Sequence, residues 1–204
     1  MVQNLSSIRT VVLRRLFIAL LLAVPILMIL SLTTSGFPVL HSRLDIDGEA
    51  TVPAWYSSVL LFCIGLCSLG LHFMRRAAVP KESSYFWLVF GSVFFFLSLD
   101  ESARIHEIFD EQFQIKWIFF YAPFAAIFFI YSMYYLFLRE RDKRLSLWAL
   151  TGLLIFGLGG LGTEAYTYFV PSGIAENVVE ESLEMIGAII LLVGCMQGVI
   201  HSSN

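Results

Sequence analysis

Charged residues are scarce in this chain of 204 residues. Asp, Glu, Lys and Arg make up 14% of it, whereas 58% of the residues are hydrophobic. A soluble domain has about 25% charged residues, and it needs them and other polar groups to cover its surface. The shortage of charge, together with a mean hydropathy of +0.78, excludes a soluble domain or a disordered chain and indicates an integral membrane protein.

Cysteine is also rare, since the chain has only three. Cys63, Cys67 and Cys195 all fall inside apolar runs, where a thiol is typically a small packing residue. The sequence therefore offers no disulfide framework. A G-x-G-x-x-G spacing at residues 157–162 also lies within an apolar run, so it predicts close helix packing and not a dinucleotide site.

The chain contains six apolar runs, and a membrane-spanning helix needs about 20 apolar residues. These runs are continuous and do not alternate, which disfavours a β-barrel. We predict an all-α polytopic bundle of about six transmembrane helices, forming one domain over residues 1–204. The predicted spans are Val11–Leu32, Ala54–Met74, Tyr85–Leu99, Trp117–Leu138, Leu145–Val170 and Ser182–Ile200.

Basic residues predict the orientation of the bundle. With the N-terminus in the cytoplasm, ten Lys and Arg residues fall on the inner side and three on the outer side, as the positive-inside rule requires. Both termini are then cytoplasmic, and thirteen of the sixteen acidic residues lie on the outer face. We expect a multi-pass protein of a bacterial inner (plasma) membrane with acidic outer loops.

One acidic cluster follows the third span. If residues 100–114 form one helix, Asp100, Arg104 and Glu107 share a face, and a short amphipathic helix lies at the outer interface. Two interpretations stay open. Arg104 could bridge Asp100 and Glu107 on a solvated face, or the cluster, which also contains Glu101 and His106, could be functional.

Two further acidic groups belong to the last two spans. Glu164 lies inside an apolar run, and ionisable residues at membrane depth are rare and often functional. Glu180, Glu181 and Glu184 fall on one helical turn without a neighbouring Lys or Arg. Because like charges at these spacings repel, the three carboxylates favour a bound cation or a proton.

All three groups reach the outer side of the membrane, so a bundle could bring them together. Carboxylates with one imidazole suit a divalent metal (Fe, Mn or Zn), and close carboxylates also make proton-carrying sites. The chain lacks H-E-x-x-H and Glu-x-x-His motifs, and its other histidines are scattered, so no known metalloenzyme pattern applies. The candidate metal ligands are Glu101, His106, Glu107, Glu164, Glu181 and Glu184.

Two segments carry a resemblance: Asp100-Glu101 with His106-Glu107, and the run from Glu180 to Gly187. They resemble the DE-x4-HE and EE-x2-E-x2-G segments of a family of small uncharacterised bacterial multi-pass membrane proteins. The resemblance implies a prokaryotic inner-membrane protein and no particular activity.

Two functions compete on the sequence. The first is a membrane protein with a metal-binding or acid–base site at its outer boundary, whose enzymatic nature is undecided. The second is an accessory or scaffold subunit of a larger membrane complex without its own catalysis. Expected partners are the lipid bilayer and either other membrane subunits or further copies of the chain, and nucleic acid is excluded.

Overall fold

The protein is described by a computed structural model that covers residues 2–46, 48, 50–76, 81–113, 116–163, 166 and 174–202; within these ranges the side chains at 2–8, 81–83, 109–111 and 174–176 are left undescribed. All regular structure in these ranges is helical. The helices are α1 (Val2–Thr34), α2 (Pro38–Leu44), α3 (Val52–Arg76), α4 (Lys81–Ala103), α5 (Ile105–Phe113), α6 (Ile118–Tyr134), α7 (Lys143–Gly157) and α8 (Ile174–Ser202). Short π-helical turns, Tyr135–Arg139 and Leu158–Gly162, extend α6 and α7.

Six of these helices are long and apolar enough to cross a membrane, which confirms the predicted fold class. The candidate spans are Arg9–Thr33, Val52–Arg76, Ser84–Ala103, Ile118–Arg139, Lys143–Gly162 and Asn177–Ser202. The third span continues past the predicted end at Leu99, so Asp100 and Glu101 belong to its last turn. The predicted end of the fifth span, Val170, lies outside the described residues.

Helix α8 lies at the centre of the bundle. It packs against α7, α3 and α1, while α4 packs mainly against α3. Helix α6 is peripheral: 17% of its most apolar stretch is buried, against 56% for α8. In a membrane, lipid satisfies the exposed apolar faces of α1 and α6, so they do not by themselves indicate a protein partner.

Glycines bring α7 and α8 into close contact. A Cβ on Gly152 would lie 2.6 Å from the backbone nitrogen of Leu191, and one on Gly187 would lie 2.7 Å from Phe156 Cα. Small residues allow helix backbones to approach in this way without a side chain between them. Gly159 likewise packs against Glu184, as the interpretation of the glycine run as a packing feature predicted.

The end of the bundle that carries Arg75, Arg76 and Arg139, here called the basic end, is tightly packed. The rings of Phe86 and Tyr135 stack with centroids 3.7 Å apart and hold α6 against α4. Glu140 is 2% exposed and forms an ion pair with Arg75. The Arg75 guanidinium also lies 5.5 Å from the Trp87 ring centre, within the range of a cation–π contact.

The opposite end, here called the acidic end, carries Asp100, Glu101, Glu181 and Glu184. Residues 100–114 do not form the single helix considered from the sequence, because Arg104 adopts a φ of 56°. This left-handed residue ends α4 and starts α5 in a new direction, so Asp100 and Glu107 do not share a helical face. The short helix predicted near residues 100–114 is present as α5.

Candidate functional site

A cavity of about 940 Å³ opens at the acidic end, between α4, α6, α7 and α8. Its polar mouth is lined by Asp100, Glu101, His106, Lys116, Trp117, Tyr121, Asn177, Glu180, Glu181 and Glu184. Its inner part is apolar and rich in phenylalanine, including Phe94, Phe128 and Phe156. Phe94 precedes Asp100 by six residues, so the cavity reaches about 9 Å into the bundle along α4. This combination of a large apolar chamber with a few polar groups at one end is typical of ligand sites.

Asp100 organises the mouth of the cavity. Its side chain is only partly accessible, and the residue is 8% exposed. The backbone N–H of His106 donates to Asp100 Oδ1 at 2.8 Å, and the Tyr121 hydroxyl donates to the same oxygen at 3.1 Å. His106 Nδ1 lies 3.1 Å from Asp100 Oδ2. One carboxylate thus orients an imidazole from α5 and a phenol from α6.

The left-handed turn at Arg104 makes this arrangement feasible. In a continuous helix, Asp100 and His106 would be six residues apart and would point to different faces. With the helix interrupted at Arg104, both the backbone N–H and the ring of His106 contact the Asp100 carboxylate. Non-glycine residues in this conformation are uncommon, and they cluster at functional sites.

Carboxylates surround the His106 ring and favour its protonated form. The hydrogen bond to Asp100 raises the pKa of His106, burial lowers it in part, and the charges of Asp100, Glu107 and Glu101 raise it again. The net effect is a raised pKa. The folded protein therefore holds a proton on His106 more readily than a free imidazole would.

Glu101 and Glu184 face the cavity from α4 and α8, and their charges are close enough to interact. Gly160 in the π-helical turn after α7 leaves room for Glu184, since a Cβ there would lie 2.5 Å from Glu184 Oε1. Within the described part of the chain, neither carboxylate has a hydrogen bond or an ion pair, unlike Glu140 at the basic end. Burial of a carboxylate without donors is costly, so this pair calls for a cation or a proton.

Four of the six predicted ligands, Glu101, His106, Glu181 and Glu184, line this cavity. Glu107 forms an ion pair with Arg104 and does not line it among the described residues. Glu164 lies outside the described residues. No group of three or more His, Cys, Asp or Glu side chains within the described ranges is arranged to hold a metal ion.

Sequence reasoning left two groups out of its candidate list. Asp100 was recognised as part of the acidic cluster, but only the turn at Arg104 reveals it as the partner of His106. Trp117 and Tyr121 were identified only as residues of the fourth predicted span, whereas both line the cavity. The signal available in the sequence was that these two polar aromatic residues, four positions apart, follow the acidic cluster closely.

Six spanning helices with a cavity at one end define a multi-pass helical membrane protein. A family model described as "Domain of unknown function (DUF8692)" matches residues 14–199, so the chain belongs to this family. No curated protein and no solved structure matches the chain. The family description assigns no activity, and the geometry of the cavity is therefore the basis for a functional proposal.

Proposed function

We propose that this protein carries out acid–base chemistry on an amphiphilic molecule held in its membrane cavity. His106 is the proton-transferring group and Asp100 is its positioning partner. The observation that supports this most strongly is the 3.1 Å contact between His106 Nδ1 and Asp100 Oδ2 at the mouth of the cavity.

The Asp100–His106 pair has the chemistry that proton transfer needs. A carboxylate at Nδ1 holds the ring in the tautomer that carries its lone pair on Nε2, which is then the nitrogen that takes up a proton. Asp100 also stabilises the imidazolium that results. An imidazole that takes up a proton and then releases it serves both as a general base and as a general acid.

The cavity supports an amphiphilic substrate. Ligand pockets in proteins are about 300–1,000 Å³, and this one, at about 940 Å³, is large enough for a long-chain molecule. The apolar chain would lie among the phenylalanines, and the polar head would lie beside His106. Because basic residues are in excess at the other end, the positive-inside rule favours a location of the site at the outer face of a bacterial inner membrane.

A divalent cation is the second candidate for this site, because Glu101 and Glu184 lack a hydrogen-bond donor or an ion pair among the described residues. With His106 and Glu181, which line the same cavity, they offer oxygen and imidazole ligands suited to Fe, Mn or Zn. Elemental analysis of the purified protein tests this candidate. Stoichiometric metal that is lost in Glu184→Gln and His106→Ala supports it, and absence of metal from all three proteins removes it.

The acid–base proposal is tested by lipid turnover. The protein is reconstituted into vesicles of total bacterial lipid extract, and mass spectrometry follows species that are gained or lost. We expect His106→Gln and Asp100→Asn to abolish turnover, while Glu107→Gln, which removes a nearby carboxylate outside the cavity lining, retains it. Turnover in His106→Gln equal to that of the wild type would overturn the proposal, as would the absence of any change with the wild type. Retention of turnover in a chelator separates the acid–base mechanism from the metal-dependent one.

A further inference from the structure

We infer that the ligand of this cavity is an amphiphile with an ammonium head group, whose head lies between Glu101 and Glu184 and whose hydrocarbon chain lies among the phenylalanines. This inference rests on the proposed function, because it names the class of molecule that His106 meets. Three properties of the cavity support it: its charge, the aromatic rings at its mouth and its opening toward lipid.

The charge of the mouth favours a cation. Five carboxylates line the cavity, from Asp100, Glu101, Glu180, Glu181 and Glu184, and they outnumber the two basic side chains that line it, Lys116 and His106. Asp100 is occupied by His106 and Tyr121. Glu101 and Glu184 have no such donors within the described residues, so a head group that brings positive charge complements them. A phosphate or sulfate head would instead meet like charges.

Aromatic rings at the mouth suit an ammonium group. The rings of Trp117 and Tyr121 are perpendicular, with centroids 5.5 Å apart, and both residues line the cavity. Faces of tryptophan and tyrosine attract cations, and aromatic surfaces of this kind recognise quaternary ammonium ligands. Carboxylates and aromatic rings thus converge on the same part of the cavity.

The inner part of the cavity fits a hydrocarbon chain. Phe94 of α4, Phe128 and Phe129 of α6 and Phe156 of α7 line it. The Phe94 and Phe156 rings are 6.1 Å apart, and the Phe94 and Phe128 rings are 6.2 Å apart. These rings form an apolar wall below the carboxylates, so head and chain have separate and suitable surroundings.

The cavity opens sideways along α6. Phe124 lines it and is nevertheless 76% exposed, and Phe120 lines it as well. In the spanning part of α6 this exposed surface faces lipid, so a molecule in the membrane leaflet reaches the chamber without crossing bulk water. An amphiphile already aligned in the leaflet presents its head at the level of Glu101.

Matched probes with one chain length test the inference. Tritiated hexadecyltrimethylammonium is bound to the full-length protein in dodecyl maltoside, and hexadecyl sulfate or hexadecanol is added as competitor. We expect saturable binding of the ammonium probe and at least ten-fold weaker competition by the sulfate. Glu101→Gln and the double variant Glu101→Gln/Glu184→Gln should weaken binding about ten-fold or more, whereas Glu107→Gln should leave it unchanged. A thermal melt of each variant verifies that it is folded.

The outcomes separate this inference from the proposed function. Equal competition by hexadecyl sulfate, unchanged binding in folded Glu101→Gln and double variants, or no saturable binding at all would overturn the ammonium assignment. None of these results bears on the lipid turnover that depends on His106. Conversely, if the ammonium probe binds as expected while His106→Gln retains full turnover, the ligand class stands and the acid–base proposal fails.

Discussion

At the basic end of the bundle, Phe86 and Tyr135 stack at 3.7 Å and close α4 against α6. At the acidic end, Phe96 and Tyr121 of the same two helices are 6.0 Å apart, and a cavity of about 940 Å³ lies beside them. The same two helices thus make a stacked contact at one end and line an open cavity at the other. The cavity lies at the end of the bundle that carries the carboxylates and His106.

The carboxylates of the two ends differ in whether they have a partner. Glu140 is buried with Arg75 as its counter-ion and accepts a further hydrogen bond from the Asp142 backbone. Glu101 and Glu184 face the cavity without a comparable partner among the described residues. A carboxylate with an internal counter-ion stabilises the contact between helices. A carboxylate without one is available to bind a ligand.

The largest expected loss of stability comes from removing the Arg75–Glu140 ion pair at the basic end. Arg75→Ala leaves the Glu140 carboxylate buried without its cation, so the free energy of unfolding should fall by about 3 kcal/mol or more. Unfolding by sodium dodecyl sulfate measures the change. Arg76→Ala, which removes the exposed neighbouring arginine, is the control, and equal losses in the two variants would contradict the role of the ion pair.

The close contact between α7 and α8, here called the seam, should give the next largest loss of stability on mutation. This contact also fixes the position of the helix that carries Glu184. Gly187→Ala places a Cβ 2.7 Å from Phe156 Cα and should destabilise the protein by about 2 kcal/mol. Gly70→Ala is the matched control, since its Cβ would lie 3.7 Å from Val199 Cγ2. A melting temperature lowered equally by both substitutions would show that the seam is not close-packed.

The acidic end also contains a left-handed backbone conformation, at Arg104. Arg104→Val and Arg104→Gly both remove the ion pair with Glu107, so their difference isolates the left-handed conformation. Glycine adopts it freely and a β-branched residue does not, so the glycine variant should be more stable by about 1–2 kcal/mol. Equal unfolding free energies would indicate that residue 104 does not hold a positive φ in the folded protein.

A serine cluster closes the acidic end between α3 and α4, beside the cavity. Ser58 Oγ lies 2.9 Å from the Ser98 carbonyl oxygen and 2.7 Å from Ser102 Oγ. Ser58→Ala should cost about 0.6–1 kcal/mol, as interhelical hydrogen bonds in membranes do. Ser92→Ala, whose hydroxyl bonds only to Leu88 within its own helix, should cost less, and a reversed order in chemical unfolding would refute the role of the cluster.

The smallest expected effect is the pH dependence of His106. Its pKa is raised in the folded protein, so protonation stabilises the fold fully below the ordinary value of about 6.5 and this contribution disappears as the pH rises through the raised value. The charges that act on the ring come from Asp100, Glu101 and Glu107, and Lys116 lines the same cavity. Partial exposure limits the effect to less than about 1 kcal/mol. Unfolding curves over this pH range should show the loss in the wild type and not in His106→Gln, and identical profiles would argue against the Asp100–His106 contact.

The spanning architecture could be predicted from the sequence because lipid imposes a simple rule. Each apolar run must form a helix that satisfies its own backbone, so length and hydropathy were enough to identify six spans. Orientation and cellular membrane stay predictions that rest on the basic residues.

The candidate site could be predicted only in part. The acidic residues were identified because carboxylates near apolar runs are conspicuous, and Glu101, His106, Glu181 and Glu184 do line one cavity. The partner of His106 could not be predicted, since it depends on one left-handed residue, Arg104, that has no preference for this conformation. The cavity itself depends on how α4, α6, α7 and α8 pack together, which leaves no periodic signature in the sequence.

The stack of Phe86 on Tyr135 gives α6 the geometry of a lever. Tyr121 lies fourteen residues before Tyr135, about 21 Å along the helix axis. A tilt of only about 10° around the stack would therefore displace Tyr121 by about 4 Å, enough to break its hydrogen bond to Asp100 and widen the lipid-facing side of the chamber. Entry of a ligand would then occur together with a change in the hydrogen bonds of the Asp100–His106 pair.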